Sequence, residues 1–228
     1  MTRWTLALDT STLVCAGLAR EGQQVASRAV GDNHSHVELL IPTIDAMLTQ
    51  AGATWGELSR IGVGVGPGPY TGLRVGLSAA ATLSLISGAP LRGVASLDLL
   101  AAQWSATKQA PHEFVVASDA RRKELYWARY REGVRVGTPQ VGAPERIPEM
   151  AIAGPGVDVY PELLADRRPE SAPRAIDAGF LAAHLDELPD AGVEPLYLRK
   201  PDAELPGARK SALTGRHRRM GTSRRAGR

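Results

Sequence analysis

The first thirty residues hold three short runs of apolar and β-branched positions separated by turn residues. Residues 4–9, 13–20 and 23–30 are each predicted to form a strand. Asp9-Thr10-Ser11-Thr12 has the chemistry of a turn, and Glu21-Gly22 has that of a hairpin. This segment is therefore predicted to be a three-stranded meander.

The same pattern returns in the second half of the chain. Residues 114–118 are predicted to form a strand that ends at Asp119, residues 120–123 a polar turn, and residues 124–131 and 134–136 two further strands. Arg131-Glu132-Gly133 occupies the position that Arg20-Glu21-Gly22 has in the first half. Two unrelated meanders would also give this pattern, but the shared position of the tripeptide favours a duplicated lobe.

Residues 36–51 have the spacing of an amphipathic helix. The predicted core stripe consists of Val37, Leu40, Ile41, Ile44, Leu48 and Ala51. Ser35 is placed to cap this helix, and Glu38 would complete a capping box. Leu39, Ala46 and Met47 lie off the stripe, where a purely solvent-facing surface would not need them, so they indicate a surface for a partner.

The most distinctive stretch of the chain is residues 61–87. Residues 61–65 alternate β-branched residues with glycine, which is typical of a short buried strand. Residues 66–69, Gly-Pro-Gly-Pro, must form a turn, and Thr71 is a candidate N-cap for a helix that runs to residue 87. The first N–H groups of such a helix are unpaired and partly positive, so they make a natural anion pocket, to which Arg74 would add charge. The alternative is a tight strand-to-helix connection.

Within this predicted helix, Gly72, Gly76 and Ala80 fall four residues apart and leave one face almost without side chains. Such a face lets another backbone approach closely. Each helical glycine costs about 1 kcal/mol relative to alanine, so a packing partner, within the chain or on another chain, would explain the pair. Leucine at position 76 is expected to block a partner chain while leaving the fold mostly intact.

The remaining segments alternate helices with strands and loops. Helices are predicted at 96–107, capped by Ser96, at 160–165, and at 177–188, capped by Asp177. Residues 152–156 are predicted to be a strand and a tight turn, and proline-rich residues 139–148 and 167–173 are predicted loops. Strands that alternate with helices predict a layered α/β architecture.

Five segments, taken together in their order along the chain, resemble one known family. They are LALDTST at 6–12, HVELLIP at 36–42, GVGVGPGPYTGLRVGL at 62–77, GVASLDLLA at 93–101 and PLYLRKPD at 195–202. The chain resembles the TsaB (YeaZ) family, which is the non-catalytic partner subunit in bacterial threonylcarbamoylation of tRNA.

The resemblance implies an α/β, two-lobed actin-like fold of the acetate kinase–sugar kinase–actin type, with duplicated β-meander/helix lobes. Residues 1–108 would form the N-terminal lobe with the partner-binding helices, and residues 109–206 the C-terminal lobe. Residues 207–228 would be a basic tail that is disordered in isolation, because this segment has little apolar surface to bury.

In that superfamily a nucleotide lies between the lobes, held by two hairpins and a glycine turn, which by position would be residues 9–12, 119–123 and 154–156. The candidate phosphate or nucleotide contacts are Asp9, Thr10, Ser11, Gly66, Gly68 and Thr71. Both hairpin turns, DTSTLVC and DARRKEL, lack the glycine that lets a backbone approach a phosphate, and the second offers bulky cations instead. The nucleotide clamp is therefore expected to be degenerate.

The resemblance also implies a partner surface, and it implies no catalytic residue and no cofactor of the chain's own. The candidate interface residues are Leu39, Thr43, Ala46, Met47, Gly72, Leu73, Gly76 and Ala80. Through them the chain would pair with a TsaD-like subunit that transfers a threonylcarbamoyl group to the adenosine beside the tRNA anticodon, or form a homodimer when that subunit is absent. A TsaE-like ATPase would bind the pair, and any ATP or ADP would lie at the interface with the partner subunits.

The net charge of +3 comes from a single segment. Residues 207–228 hold eight Lys or Arg and no acidic residue, whereas the rest of the chain carries 19 basic and 24 acidic residues, a net charge of −5. A basic tail can contact RNA phosphates in a salt-dependent way, and the alternative is a solubilising extension. The acidic body argues against a large RNA groove on this subunit alone.

Composition and residue chemistry exclude several other classes. The single cysteine, Cys15, excludes a disulfide framework and fits a cytoplasmic protein, and no stretch has the about 20 apolar residues of a membrane span. His34, His36 and Glu38 offer too few ligands for zinc, so no metal site is predicted, and no Ser–His or Cys–His pair indicates a peptidase. Two alternatives stay open: an independent actin-fold small-molecule kinase or ATPase, and an RNA-binding module that uses the basic tail.

Overall fold

The computed structural model describes residues 3–30 and 37–199. Three predictions lie outside these residues: the Ser35 cap, the His34 and His36 pair, and the state of the tail at 207–228. Within the described part of the chain, no helix is long and apolar enough to cross a membrane.

The first sheet has five strands in the spatial order β3-β2-β1-β4-β5. The strands are β1 (Trp4–Asp9), β2 (Val14–Arg20), β3 (Gln23–Val30), β4 (Leu58–Gly64) and β5 (Leu91–Val94). β1, β2 and β3 form the predicted meander of antiparallel strands, and β4 runs parallel to both β1 and β5. The meander is therefore confirmed, and β5 is an additional strand at the edge of the sheet.

Helices cover both faces of this sheet. α1 (Val37–Ala51) and α2 (Tyr70–Ser87) pack on one face, and α5 (Ala178–His184) packs on the other. The alternation of side chains along β1 explains the two cores, because Leu6 and Leu8 pack with α1 and α2 whereas Ala7 packs with α5. The approach of α5 is close, since a Cβ at Gly17 would lie 2.0 Å from the carbonyl carbon of Ala178.

The second sheet has four strands in the spatial order β8-β7-β6-β9. The strands are β6 (Glu113–Asp119), β7 (Leu125–Arg131), β8 (Val134–Gly142) and β9 (Ile152–Ala153). β6, β7 and β8 form a second antiparallel meander, and β9 runs parallel to β6. β8 continues through Pro139, where a loop is predicted. The loop prediction is wrong there because β8 is an edge strand, which tolerates a residue without an N–H group.

Two helices lie between the sheets. α3 (Ser96–Ala106) packs on the second sheet, opposite α5 on the first. The interior of this layer contains Trp104 of α3 and two aromatic residues of the second sheet, with ring centroids 4.8 Å apart for Trp104–Phe114 and 5.5 Å apart for Phe114–Tyr130. α4 (Pro161–Leu164) and short 3-10 turns cover the outer face of the second sheet. The two-sheet α/β fold with duplicated meanders is as predicted, and the boundary between residues 108 and 109 stays a prediction.

The helix ends correct two of the predicted caps. Pro69 is at the N-cap position of α2, so Thr71 lies inside the helix, and Ala95 is at the N-cap position of α3, so Ser96 is its first residue. Asp177 caps α5 as predicted, because its carboxylate accepts hydrogen bonds from the N–H groups of Gly179 at 2.8 Å and Phe180 at 3.3 Å.

Candidate functional site

The end of β1 carries a buried carboxylate. Asp9 is fully buried and accepts three hydrogen bonds, from the Ser11 N–H at 2.7 Å, the Ser11 hydroxyl at 2.6 Å and the Ser96 hydroxyl at 2.6 Å. Burial raises the pKa of Asp9 above its ordinary value, and the hydrogen bonds from Ser11 and Ser96 oppose this only in part. Ser96, predicted as a helix cap, is instead a partner of this carboxylate.

The small-residue stripe of α2 packs against the first turn of the same chain. The Thr10 hydroxyl donates a hydrogen bond to the Gly72 carbonyl oxygen at 2.8 Å, and a Cβ at Gly76 would lie 2.2 Å from Thr10 Oγ1. Ala80, the third member of the stripe, is buried in the core beneath α2. The partner that explains the glycines is therefore within the chain. The geometry argues against the expectation that leucine at position 76 leaves the fold mostly intact, because that side chain would collide with Thr10.

The six candidate phosphate contacts come together where the first turn meets the start of α2. Asp9, Thr10, Ser11, Gly66 and Gly68 are buried, whereas Thr71 is exposed. The Gly66 N–H donates to the Ser96 hydroxyl at 3.2 Å, and a Cβ at Gly68 would lie 2.7 Å from the Ser11 carbonyl oxygen. The space beside the glycine turn is therefore filled by the protein itself. Nucleotide binding by these residues stays a prediction.

A cleft of about 320 Å³ separates the first turn from the second half of the chain. Its lining includes Ser11, Thr12, Leu13 and Pro69 on one side and Asp119, Arg121, Pro155, Asp158 and Arg174 on the other. The second turn of the cleft carries Arg121, Arg122 and Lys123, which are exposed and have φ angles between +53° and +61°. Residues other than glycine seldom adopt this conformation. The bulky cations that were expected at this turn are therefore present, and they lie at the edge of the cleft.

An apolar groove runs along the exposed side of α2, next to α1. It has a volume of about 780 Å³, and it is lined by Ile41, Tyr70, Thr71, Arg74, Val75, Ser78, Ala79, Thr82, Leu83 and Ile86. Leu85 and Ile86, at the end of α2, are 84% and 74% exposed. Exposed apolar surface that is contiguous in this way marks a site of association.

Only some of the eight candidate interface residues lie on the surface of the folded chain. Leu39 and Ala46 are exposed and Thr43 is half-buried, so these three face outward from α1. The others are buried or half-buried within the chain: Met47, Gly72, Leu73, Gly76 and Ala80. Ile41, placed by its spacing in the core stripe, is exposed instead. Helical spacing does not separate these two residues, because Met47 and Ile41 both lie three residues from Ile44. Met47 is buried because it packs into the core with β1 and α2, whereas Ile41 borders the groove beside α2.

Other reactive groups of the described residues do not form a site. Residues 3–30 and 37–199 contain no group of three or more His, Cys, Asp or Glu side chains that could hold a metal ion. Cys15 is buried, and burial raises the pKa of its thiol well above the ordinary value, which opposes formation of the reactive thiolate.

Comparison with known proteins shows where this chain belongs. A family model described as "TsaD: tRNA N6-adenosine threonylcarbamoyltransferase" matches residues 31–167, more than half of the chain. An uncharacterized protein of Mycobacterium tuberculosis is 39% identical over 203 residues, which are 87% of this chain and 93% of that protein. The tRNA threonylcarbamoyladenosine biosynthesis protein TsaB of Escherichia coli is 31% identical over 126 residues, 55% of this chain and 54% of that protein. The solved structure of YeaZ from Pseudomonas aeruginosa has a TM-score of 0.64 and 28% identity, and the match covers 86% of this chain and 100% of that one. This chain belongs to the TsaB/YeaZ family.

Residues 189–199 of this TsaB/YeaZ family member form a strap across the molecule, which includes residues 195–199 of the closing motif. The Leu196 N–H donates to the Val65 carbonyl oxygen at 2.8 Å, and the Tyr197 ring stacks on Tyr70 with the ring centroids 4.9 Å apart. The strap therefore lies beside the glycine turn and the start of α2.

Both ends of the strap are held by the body of the TsaB/YeaZ fold. Near its start, the Ala191 N–H donates to the Gly93 carbonyl oxygen at 2.9 Å. At its end, the Arg199 guanidinium donates to the Ala120 carbonyl oxygen at 2.9 Å and forms an ion pair with Glu124. The strap thus connects the edge strand of the first sheet to the second turn of the cleft, a link that local sequence patterns do not predict.

Proposed function

We propose that this chain is the partner subunit of a threonylcarbamoyltransferase complex and acts in the biosynthesis of threonylcarbamoyladenosine in tRNA. It pairs with a TsaD-like catalytic subunit, which transfers the threonylcarbamoyl group to the adenosine beside the anticodon. Membership of the TsaB/YeaZ family supports the modification, since its Escherichia coli relative is named for it.

The observation that carries the pairing is the groove between α1 and α2. These two helices lie side by side with Ile41 and Ile86 exposed, and two helices of a partner would complete a four-helix bundle over them. Covering one large apolar side chain contributes about 1.5–3 kcal/mol, and several such side chains together offset part of the cost of association. The rim is polar, because Arg74 donates a hydrogen bond to the Tyr70 hydroxyl at 3.0 Å. The same groove would form a homodimer when the partner is absent.

The geometry of the first turn supports the proposal that the chemical step takes place on the partner subunit. Asp9 is the acidic residue of this turn, and its carboxylate is enclosed by hydroxyl groups of Ser11 and Ser96. The neighbouring glycine turn is filled by Ser11 itself. ATP or ADP is therefore proposed only at the interface with partner subunits, where a TsaE-like ATPase would bind.

The test is transfer of labelled threonine to tRNA in a reconstituted mixture. Every mixture contains the adenylate-forming enzyme, the TsaD-like subunit and the TsaE-like ATPase. Four samples are compared: one without this chain, one with the wild type, one with the groove variant Ile41→Asp/Ile86→Asp, and one with the control variant Val134→Asp/Leu163→Asp. Both control residues are exposed apolar residues outside the groove. We expect transfer to require the wild-type chain, the groove variant to lose at least tenfold in transfer and to stop co-eluting with the TsaD-like subunit, and the control to match the wild type.

Two results would contradict this proposal. Transfer that is indifferent to the chain would reject a role in the complex, and a groove variant that still co-elutes would reject the interface. Turnover of ATP by the isolated chain would favour the alternative, an independent small-molecule kinase or ATPase of the same fold. Circular dichroism of each variant shows whether its fold is retained.

A further inference from the structure

A cavity of about 660 Å³ lies where three elements meet: α3, the hairpin formed by β7 and β8, and the end of α5. Its volume falls within the range of small-molecule binding sites in proteins. None of its described lining residues belongs to the groove along α2 or to the cleft beside the first turn. The cavity is therefore a place for a ligand that is separate from both.

Much of the lining is apolar and comes from all three elements. Ala102 and Ala106 line the cavity from α3, Val134 from β8, Phe180 from α5, and Leu188 from the segment that follows α5. The two alanines project only a methyl group, which leaves room for a ligand beside the larger Phe180 and Val134. An apolar group placed in this space would be removed from water against these side chains, which is favourable.

A carboxylate and a guanidinium also line the cavity, and both keep unused hydrogen-bonding capacity. Asp98 Oδ1 accepts a hydrogen bond from the Tyr130 hydroxyl at 2.7 Å and lies 3.3 Å from Arg135 Nη1. Within residues 3–30 and 37–199, Asp98 Oδ2 accepts no hydrogen bond, and the buried Nη1 of Arg135 donates none. The Arg135 side chain is 31% exposed, so a ligand can reach the outer part of its guanidinium.

The electrostatics of Asp98 agree with a missing partner. Burial raises the pKa of Asp98 above its ordinary value, although the Tyr130 hydrogen bond and the Arg135 charge act in the opposite direction. The ionised carboxylate therefore has fewer polar partners in the folded chain than it has in water. A donor group on a ligand at Oδ2 would replace the lost hydration.

The other ionisable groups of the lining already have partners. Glu132 Oε1 lies 3.3 Å from His112 Nε2, and Glu187 Oε2 lies 2.9 Å from His184 Nδ1. Both glutamates are exposed at the rim of the cavity. The charges that remain for a ligand are thus one acid and one base, side by side.

We propose that this cavity binds a free α-amino acid with an apolar side chain. Its ammonium group donates to Asp98 Oδ2, its carboxylate accepts from the Arg135 guanidinium, and its side chain packs against Phe180. A zwitterion satisfies both charges, whereas a simple cation, a simple anion or one end of a peptide would leave one of them without a partner. A guanidinium suits the carboxylate because its planar fork matches the two oxygens.

The experiment is an NMR titration of the ¹⁵N-labelled full chain with L-phenylalanine up to about 10 mM. Three further probes each lack one part of it: L-phenylalaninamide lacks the carboxylate, N-acetyl-L-phenylalanine lacks the ammonium group, and glycine lacks the side chain. The test variants are Asp98→Asn, Arg135→Gln and Ala106→Trp, which fills the cavity from an exposed position. Glu170→Gln and Arg28→Gln are the controls, since each neutralises one exposed charge outside the cavity.

We expect L-phenylalanine to bind the wild type with a Kd below about 1 mM and to shift amide signals of α3, β8 and α5. The three other probes should each bind at least about tenfold more weakly, because each leaves a charged group or the apolar wall uncovered. Asp98→Asn and Arg135→Gln should each weaken binding of L-phenylalanine by at least about tenfold, and Ala106→Trp should abolish it. The controls should stay within about twofold of the wild type.

The variants should also change which probes are distinguished. Asp98→Asn should bind L-phenylalanine and its N-acetyl derivative equally, because the partner of the ammonium group is gone. Arg135→Gln should bind L-phenylalanine and its amide equally, because the partner of the carboxylate is gone. A variant that had merely unfolded would show neither pattern, and circular dichroism identifies it.

Four results would overturn the amino-acid site. The absence of any shift at the highest concentration would reject binding. Equal affinity of the wild type for L-phenylalanine and its amide would make the cavity a site for cations, and equal affinity for the N-acetyl derivative would make it a site for anions. Unchanged binding in folded Asp98→Asn and Arg135→Gln would place the ligand elsewhere on the chain.

Discussion

Thr10 occupies the space that a side chain at position 76 would need, since a Cβ at Gly76 would lie 2.2 Å from Thr10 Oγ1. The hydroxyl is not free to turn away, because it donates a hydrogen bond to the Gly72 carbonyl oxygen at 2.8 Å. The first turn of the chain therefore packs against Gly72 and Gly76 of α2, and this contact joins β1 to the helix that borders the groove.

Replacement of Gly76 by alanine tests this contact. Alanine gains about 1 kcal/mol of helix propensity, but the collision with Thr10 outweighs it, so we expect a net loss of about 1–3 kcal/mol in the free energy of unfolding. Urea denaturation measures the change, and Ser78→Ala, at an exposed position of the same helix, should stay within about 0.5 kcal/mol of the wild type. If Gly76→Ala were more stable than the wild type, the first turn would shift away from α2 at little cost in free energy, which would contradict the predicted collision.

The buried carboxylate of Asp9 makes stability depend on pH in a defined direction. Burial raises its pKa in the folded protein, so the folded state binds this proton more tightly than the unfolded chain does. The stability gained from the protonated group is present below the unfolded pKa and is lost as the pH rises through the folded pKa. We expect the wild type to lose stability relative to Asp9→Asn as the pH increases from about 4 to 7.

Denaturation of both proteins across this range gives the difference directly. The exposed replacement Glu170→Gln serves as the control, because it changes a carboxyl group outside the core. A difference between the wild type and Asp9→Asn that is constant, or that changes in the opposite direction, would contradict the raised pKa.

The strap depends on a glycine of the edge strand. A Cβ at Gly93 would lie 1.8 Å from the Gly192 carbonyl oxygen, so Gly93→Ala should push the strap off β5. We expect hydrogen exchange at the Ala191 and Leu196 amides to become at least tenfold faster, because these amides would move away from their acceptors on Gly93 and Val65. Gly56→Ala is the matched control, since a Cβ there meets no atom within 4 Å. Unchanged exchange would mean that the strap is held elsewhere.

The cap of α5 supports the helix that covers one face of the first sheet. Asp177 accepts hydrogen bonds from two N–H groups of the first turn and from the Gln24 amide at 3.1 Å. Asp177→Ala should lower the free energy of unfolding by about 0.5–2 kcal/mol, whereas Asp177→Asn retains an acceptor and should lose less. Thermal and urea denaturation compare the two, and equal losses would argue against capping as the cause.

Local patterns predict the meanders well. Residues 4–9, 114–118 and their neighbours combine apolar runs with strong turn residues, and these signals act over a few positions in sequence. The Asp177 cap is equally local, because donor and acceptor lie two or three residues apart.

The partner surface is harder to predict because it depends on contacts that are distant in sequence. The sequence around Gly76 is the same whether Thr10 or another protein packs against that side of α2. Only the folded structure distinguishes the two cases. Ile41 and Ile86 come together through the packing of α1 beside α2, and no spacing within either helix indicates that. The strap likewise depends on pairs such as Arg199 and Ala120, separated by most of a lobe in sequence.

α3 and α5 each pack on the sheet that is formed by the other half of the chain. α3 precedes the second sheet in the chain and packs on it, whereas α5 follows the second sheet and packs on the first. A polypeptide cut between residues 108 and 109 would leave each fragment with a sheet that keeps the helices on one face, while the helix that covers the other face belongs to the other fragment. Each fragment alone should be unstable, and the two should regain structure when mixed. Because each half contributes a helix to the core of the other, we expect the two halves to unfold together in a single transition.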